Sequence, residues 1–239
     1  MKKINESLPA IKPNALKIIQ KILKNNNNKI TIADLGSGSQ SNIISGLNNT
    51  RVLNYFALDK DKKKLDLFKK TSPVNSSIKL KTVYGDVQKT PFKANSFDII
   101  IFLETIEHLK NPEKALREVV RIAKPKSTII ISTPNVKRPD ILLKRILFFL
   151  INKQKSYPKD YYYSPEHIRE WKKEEFEKLL IKNGLTPKNW VIIPYPLELS
   201  GIKSIITLMV YPVLNFFIFV FQLKSMSSTL FAVCKVRKL

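Results

Sequence analysis

Histidine and cysteine are scarce in this chain: two of the first and one of the second in 239 residues. A lone Cys234 excludes an internal disulfide and suits a reducing cytosol. Acids are also few. Asp and Glu number 19 against 42 Lys and Arg, a formal charge of +23, which favours phosphate-bearing partners, either nucleic acid or an anionic membrane surface. The lysines are spread along the chain rather than clustered, so a solvated basic surface explains the same count. The N-terminus, MKKINESLPAIKP, has a basic start but no apolar stretch of the signal-peptide kind. Internal repeats and low-complexity linkers are missing too. A hydrophobic content of 44% with 26% charge excludes a disordered chain, and 239 residues suffice for one full core.

What is present is a rhythm. A helix is predicted from Asn14 to Asn25, and then KITIADLGSGSQSN gives a β-rich run, small residues and a helix. RVLNYFALDKD repeats the plan, with a strand ending in Asp59 and a lysine-rich helix over Asp61–Lys70. KLKTVYGD is a third strand ending in Asp86, and SFDIIIFLE a fourth. NPEKALREVVRIAKP is a capped amphipathic helix stopped by Pro125, followed by a fifth strand, STIIISTPN. NWVIIPYP and SSTLFAVCKVRK supply a sixth and a seventh. Continuous β-branched runs with helical patterns between them indicate an α/β fold with a parallel sheet covered on both faces. The whole of 1–239 is expected to be one domain, its core about 14–135 and 165–239, with insertions at about 137–165 and 198–226.

In an open parallel sheet, ligands bind beyond the carboxyl ends of the strands, near the switch in strand order. Gly36, Ser37, Gly38 and Ser39 follow the first strand and allow close approach of the backbone to a ligand. Asp59 stands 23 residues after Gly36, the spacing expected of an acid that holds a ribose diol. Three acids at three successive strand ends, Asp34, Asp59 and Asp86, suit a neutral or cationic adenosine ligand better than a pyrophosphate, and no P-loop lysine is present.

These elements, in this order and spacing, resemble the class I S-adenosylmethionine-dependent methyltransferases. The resemblance covers ADLGSGS, ALDKD, VYGDVQKTPFKANSFDIIIFLETIEHL, NPEKALREVVRIAKP and STIIISTPN, roughly residues 30 to 135, with a looser echo in EHIREWKKEEFEKLLIKNGL. It implies a Rossmann-like, seven-stranded, mostly parallel sheet, with the antiparallel seventh strand inserted between the fifth and sixth. It implies S-adenosylmethionine as cofactor: Asp34 and Gly36–Ser37–Gly38 about the methionine part, Asp59 on the ribose hydroxyls with Lys60 beside it, Asp86 on the adenine amino group with Val87 beside it, and Leu103–Glu104 as the floor. One departure is Ser39, where the family usually carries a third glycine.

The fourth strand delivers Glu104, Glu107 and His108 to the expected position of the methyl group. With an unperturbed pKa of about 6.5, a histidine there suits general-base work on a hydroxyl acceptor. His167, in SPEHIREW, falls in the loop after the fifth strand, on the same face. Two acids and two histidines also make a metal-ligand set. The pattern is similar to small-RNA 3′-end 2′-O-methyltransferases, and its first half to O-methyltransferases of ubiquinone biosynthesis, where such residues hold a divalent cation. Elsewhere in the superfamily E-x-x-E-H occurs without metal, shaping the pocket, so both readings stand. Glu174 and Glu175 read as first-turn acids of the next helix.

Two apolar segments break the rhythm: Pro139 to Lys153, and the uncharged run 204–223 between Lys203 and Lys224. The second is long enough to cross a bilayer. A crossing would cut FAVCKV off from its sheet, and Pro212 and Asn215 interrupt the run. Both insertions leave the carboxyl edge of the sheet, as a lid, a dimer interface or an interfacial helix pair with lysines at anionic headgroups. The expectation is O-methylation of a lipid, quinone-like or lipid-linked glycan acceptor, in the cytoplasm or peripherally on the membrane's cytoplasmic face. The alternatives are a metal-assisted RNA 2′-O-methyltransferase, which the charge favours and the apolar insertions oppose, and a non-enzymatic module that only binds the cofactor.

Overall fold

The computed structural model describes residues 11–24, 28–39, 42–47, 52–72, 78–137, 167–193 and 227–237, with six positions between 212 and 220. The strands are β1 (Ile30–Leu35), β2 (Val52–Asp59), β3 (Lys79–Tyr84), β4 (Phe97–Leu103), β5 (Ala123–Pro134), β6 (Leu185–Ile192) and β7 (Thr229–Val236). They form one sheet in the order β3-β2-β1-β4-β5-β7-β6. β1 pairs in parallel with β2 and β4, whereas β7 runs antiparallel to both β5 and β6. The seventh strand is inserted where the resemblance implied. The chain winds outward from β1 to β3 and then returns to β4, so the switch in direction lies between β1 and β4.

Helices cover both faces because each carries one apolar stripe. In α1 (Ile11–Lys24), Ile11, Ala15, Ile19 and Leu23 recur every fourth residue and are buried. With α2 (Asn42–Ser45) and α3 (Lys62–Thr71) they pack on Ile30, Ile32 and Tyr55. The opposite face, with Ala33, Leu35 and Phe102, is covered by α4 (Pro112–Ile122) and α5 (Lys173–Lys182). Local chemistry sets the helix starts. The Asp61 side chain accepts from Lys63 N–H and Lys64 N–H, while Asn111 accepts from Lys114 N–H ahead of Pro112 at the first turn. Glu175 closes a capping box on Lys172 N–H, as its first-turn position indicated.

Three boundaries differ from the sequence expectation. α1 begins at Ile11, ahead of Asn14. Pro125 does not stop α4: the helix ends at Ile122 and the chain enters β5 directly, leaving Pro125 inside the strand. Pairing of β5 with β4 jumps there from Ala123 to Thr128, so the missing proline N–H costs no ladder bond. β6 starts already at Leu185, because Gly184 (φ +85°) turns the chain straight out of α5.

Cys234 is buried, its thiol pushed up to about 12 by burial first and then by Glu177, which suits a packing residue rather than a nucleophile. The apolar segment 139–153, and most of 204–223, lie outside the described residues. Within the latter, Pro212, Val213, Asn215, Phe216, Phe219 and Val220 are helical, and Val213, Phe216, Phe219 and Val220 are exposed. Among the described residues no helix is long and apolar enough to cross a membrane.

Candidate active site

The loop after β1 is tied to the end of β2 by the backbone. Gly36 N–H and Ser37 N–H both donate to Leu58 C=O, at 2.8 and 3.1 Å. Gly36 has φ +70°, and a Cβ there would fall 2.4 Å from Thr105 Oγ1, so glycine is required by conformation and by space. Gly38 has φ +65°, yet a Cβ would meet nothing within 4 Å. The loop therefore presents bare backbone, as a closely approaching ligand needs. Ser37 is buried, and its Oγ has no hydrogen-bond partner among the described residues.

The three strand-end acids are held in three different ways. Asp59 accepts from Gly38 N–H (2.9 Å) and Asp61 N–H (2.9 Å), one to each oxygen. These bonds fix the carboxylate and leave lone pairs for a diol. Asp86 lies two residues beyond β3 and is exposed, its Oδ1 accepting from Gln88 N–H at 2.8 Å and both oxygens accepting from the Gln88 amide. Asp34 is the penultimate residue of β1, buried, and accepts from Tyr55 O–H at 2.7 Å. Burial raises its pKa, opposed by the charge of Lys12 on α1 and by the tyrosine hydrogen bond. Lys60 is exposed, whereas Val87 and Leu103 are buried in the two apolar clusters flanking the sheet.

Beyond β4 the chain bends sharply. Glu104 takes φ +45°, a left-handed conformation that costs a non-glycine residue about 1–3 kcal/mol. Ser132 stabilises it: Glu104 N–H donates to Ser132 C=O and Oγ, and Ser132 Oγ–H donates to Glu104 Oε1 at 2.7 Å. A short 3-10 turn, Ile106–His108, then buries Glu107 completely. Thr133 Oγ–H donates to Glu107 Oε2 at 3.3 Å, while Glu107 Oε1 has no hydrogen-bond partner among the described residues and lies 3.8 Å from His108 Nε2. Burial pushes the Glu107 carboxyl well above its ordinary value, and the charges of Glu104 and Glu170 push it further.

His167 arrives from the other side. Ile168 N–H donates to Glu107 C=O at 3.0 Å, and Val136 N–H donates to Trp171 C=O at 3.1 Å, which clamps 168–171 against the turn and the end of β5. The His108 and His167 rings lie 4.9 Å apart at 65°. His167 Nδ1 is 3.1 Å from Glu170 Oε1. Glu107, His108 and His167 each offer a ligand atom, all within 4.8 Å of one another, an arrangement that fits one divalent cation in spread if not yet in bond length. Glu104 stands outside that trio, though its charge reaches Glu107.

Of the residues singled out in the sequence, the fold brings His108 and His167 together and sets Gly36 against Thr105, next to Glu104. Ser132, Thr133, Thr105 and Glu170 escaped the sequence reading. The first two were visible as a polar pair ending the apolar run of β5, and Glu170 as an acid three residues after a rare histidine.

The family model described as a methyltransferase domain matches residues 33–131. A demethylmenaquinone methyltransferase of Renibacterium salmoninarum is 30% identical over 98 residues, 37% of this chain and 40% of that protein. A norajmaline N-methyltransferase of Rauvolfia serpentina is 40% identical over 47 residues, 20% of this chain and 16% of that protein. The chain thus spans half or less of the length of these curated relatives. Among solved structures, small RNA methyltransferase HEN1 superposes with a TM-score of 0.64 at 16% identity, over all of this chain and 27% of that one. The methyltransferase solved with the Trm112 activator of Haloferax volcanii gives 0.61 at 14% identity, over 99% of both chains. At such identities the structures speak for the fold. A methyltransferase-domain sequence over residues 33–131 is thus laid on the strand order that the resemblance to class I S-adenosylmethionine-dependent methyltransferases implied.

Proposed function

We propose that this protein transfers a methyl group from S-adenosylmethionine to a hydroxyl oxygen of a lipid, quinone-like or lipid-linked glycan acceptor. One observation carries the choice of oxygen: a group rich in imidazole and carboxylate, Glu107, His108 and His167, lies just beyond the β4 end that borders the glycine loop. The cofactor supplies an already activated methyl, so the protein's part is positioning and removal of a proton. Gly36, Ser37 and Gly38 receive the methionine part, and Asp59 orients the ribose. Asp86, with Lys60 and Val87 nearby, borders the adenine, while Leu103 and Glu104 form the floor. Asp34, turned to Tyr55 and Lys12, acts through the shape and charge of the loop. His108 or His167 takes the acceptor proton.

A quinone-like acceptor is supported by the relatives named for demethylmenaquinone. A peripheral position at a membrane's cytoplasmic face is supported by the exposed Val213, Phe216, Phe219 and Val220 and by the net charge of +23. A second reading, RNA 2′-O-methylation assisted by a divalent cation, is favoured by the orphaned Glu107 Oε1 beside both histidines. Glu107, His108 and His167 would hold the ion, which would orient the acceptor oxygen.

Methyl-labelled S-adenosylmethionine, incubated with the protein and an extract of its source cells, separates the two. Label in solvent-extractable lipid is the expected result. Label in nuclease-sensitive material would overturn the lipid acceptor in favour of RNA.

A further inference from the structure

The catalytic reading leaves two histidines equal, and one of them, His167, faces a buried carboxylate. His167 Nδ1 lies 3.1 Å from Glu170 Oε1, a bonding distance, and the Glu170 side chain is only 2% exposed. This is no solvated surface pair. Glu170 is also held in place by its neighbours. Arg169 N–H reaches Glu107 C=O at 3.4 Å on one side, and Trp171 C=O accepts from Val136 N–H on the other. Between two backbone clamps the carboxylate has little freedom to leave the imidazole.

We infer that Glu170 is a positioning residue that holds His167 with its hydrogen on Nδ1, so that Nε2 is the nitrogen available to the acceptor as a base. The chemistry is simple. An ionised carboxylate can only accept, so the nitrogen facing it must carry the hydrogen. In the other tautomer Nε2 would carry the hydrogen and could neither take a proton nor ligate an ion. The same arrangement orients a histidine in hydrolase triads and behind metal-bound imidazoles. It therefore serves His167 whether it accepts a proton or ligates an ion. The inference deepens the proposed function and rests on it only for the word base; the tautomer itself needs neither cofactor nor acceptor.

Scarcity makes the test clean. With ¹⁵N-labelled histidine the full chain has two ring systems, and His108→Gln removes one. Long-range ¹H–¹⁵N spectra, taken where the imidazoles are neutral, should show His167 hydrogenated at Nδ1. In Glu170→Leu, which keeps the buried volume, that signal should give way to the Nε2–H form, with S-adenosylmethionine affinity changed less than about twofold and methyl transfer lowered about 10- to 100-fold. An Nε2–H tautomer in the unmodified protein would overturn the inference, even if Glu170→Leu failed to fold. So would an Nδ1–H tautomer that survives Glu170→Leu. Absence of cofactor binding in the unmodified protein would instead count against the proposed function and leave the tautomer result standing.

Discussion

The two halves of the crevice are built by opposite means. On the β1–β2 side, backbone amides do the holding: Gly36 and Ser37 bond to Leu58 C=O, and Gly38 and Asp61 grip Asp59. On the β4–β5 side, side chains hold side chains: Ser132 on Glu104, Thr133 on Glu107, Glu170 on His167. Backbone-held geometry survives most substitutions and depends on a few glycines. Side-chain-held geometry can be dismantled one hydroxyl or carboxylate at a time. Such a division suits the proposed roles, a loop fitted to the cofactor and a cluster fitted to an acceptor.

The sharpest way to separate the halves is to remove the proposed base. His167→Ala should lower methyl transfer by about 10²- to 10⁴-fold, while calorimetry finds S-adenosylmethionine affinity nearly unchanged. An equal loss in affinity would mean that the halves are not independent. The reciprocal change is Gly36→Ala. A left-handed φ and a Cβ 2.4 Å from Thr105 Oγ1 should cost about 1–3 kcal/mol in urea unfolding and weaken cofactor binding. Gly38→Ala, strained but unobstructed, should cost less.

Glu107→Gln tests the electrostatic character of the side-chain half. The folded protein holds the Glu107 proton more tightly than the unfolded chain does, because burial and then Glu104 raise its pKa. Between the ordinary carboxyl value and that raised value the folded state binds more protons. Stability contributed by this group is thus complete below about pH 4 and declines as pH rises. Glu107→Gln should therefore melt at a higher temperature than the parent protein at pH 7 and match it near pH 4. A lower melting temperature at pH 7 would show the carboxylate to be compensated. Smallest of all, Ser132→Ala should destabilise by about 1 kcal/mol, the value of one hydrogen bond, with cofactor affinity intact.

The same contrast explains what could be read from the sequence. Strand order was legible through the family resemblance, and the glycine loop and the placing of Asp59 at the end of β2 through the spacing of one β-α-β unit. Asp34 was read by position as part of the methionine site; its burial and the hydrogen bond from Tyr55, brought by β2, were not legible in the sequence. Pro125 looked like a helix stop because a proline after an amphipathic run usually is one. Here the β4–β5 register skips over it, and only the paired strand reveals that. Ser132, Thr133 and Glu170 became significant only when the fold set them beside Glu104, Glu107 and His167.

Isothermal titration of S-adenosylmethionine into the full chain and into Asp59→Ala tests the central assignment most directly. Asp59 binds two loop amides in the structure and should also carry the ribose hydroxyls, each a charge-assisted bond of about 1.5–3 kcal/mol. Binding by the parent protein with a loss of about 100-fold or more in Asp59→Ala is the predicted result. Equal affinity in the two proteins would contradict the placement of the cofactor in this crevice.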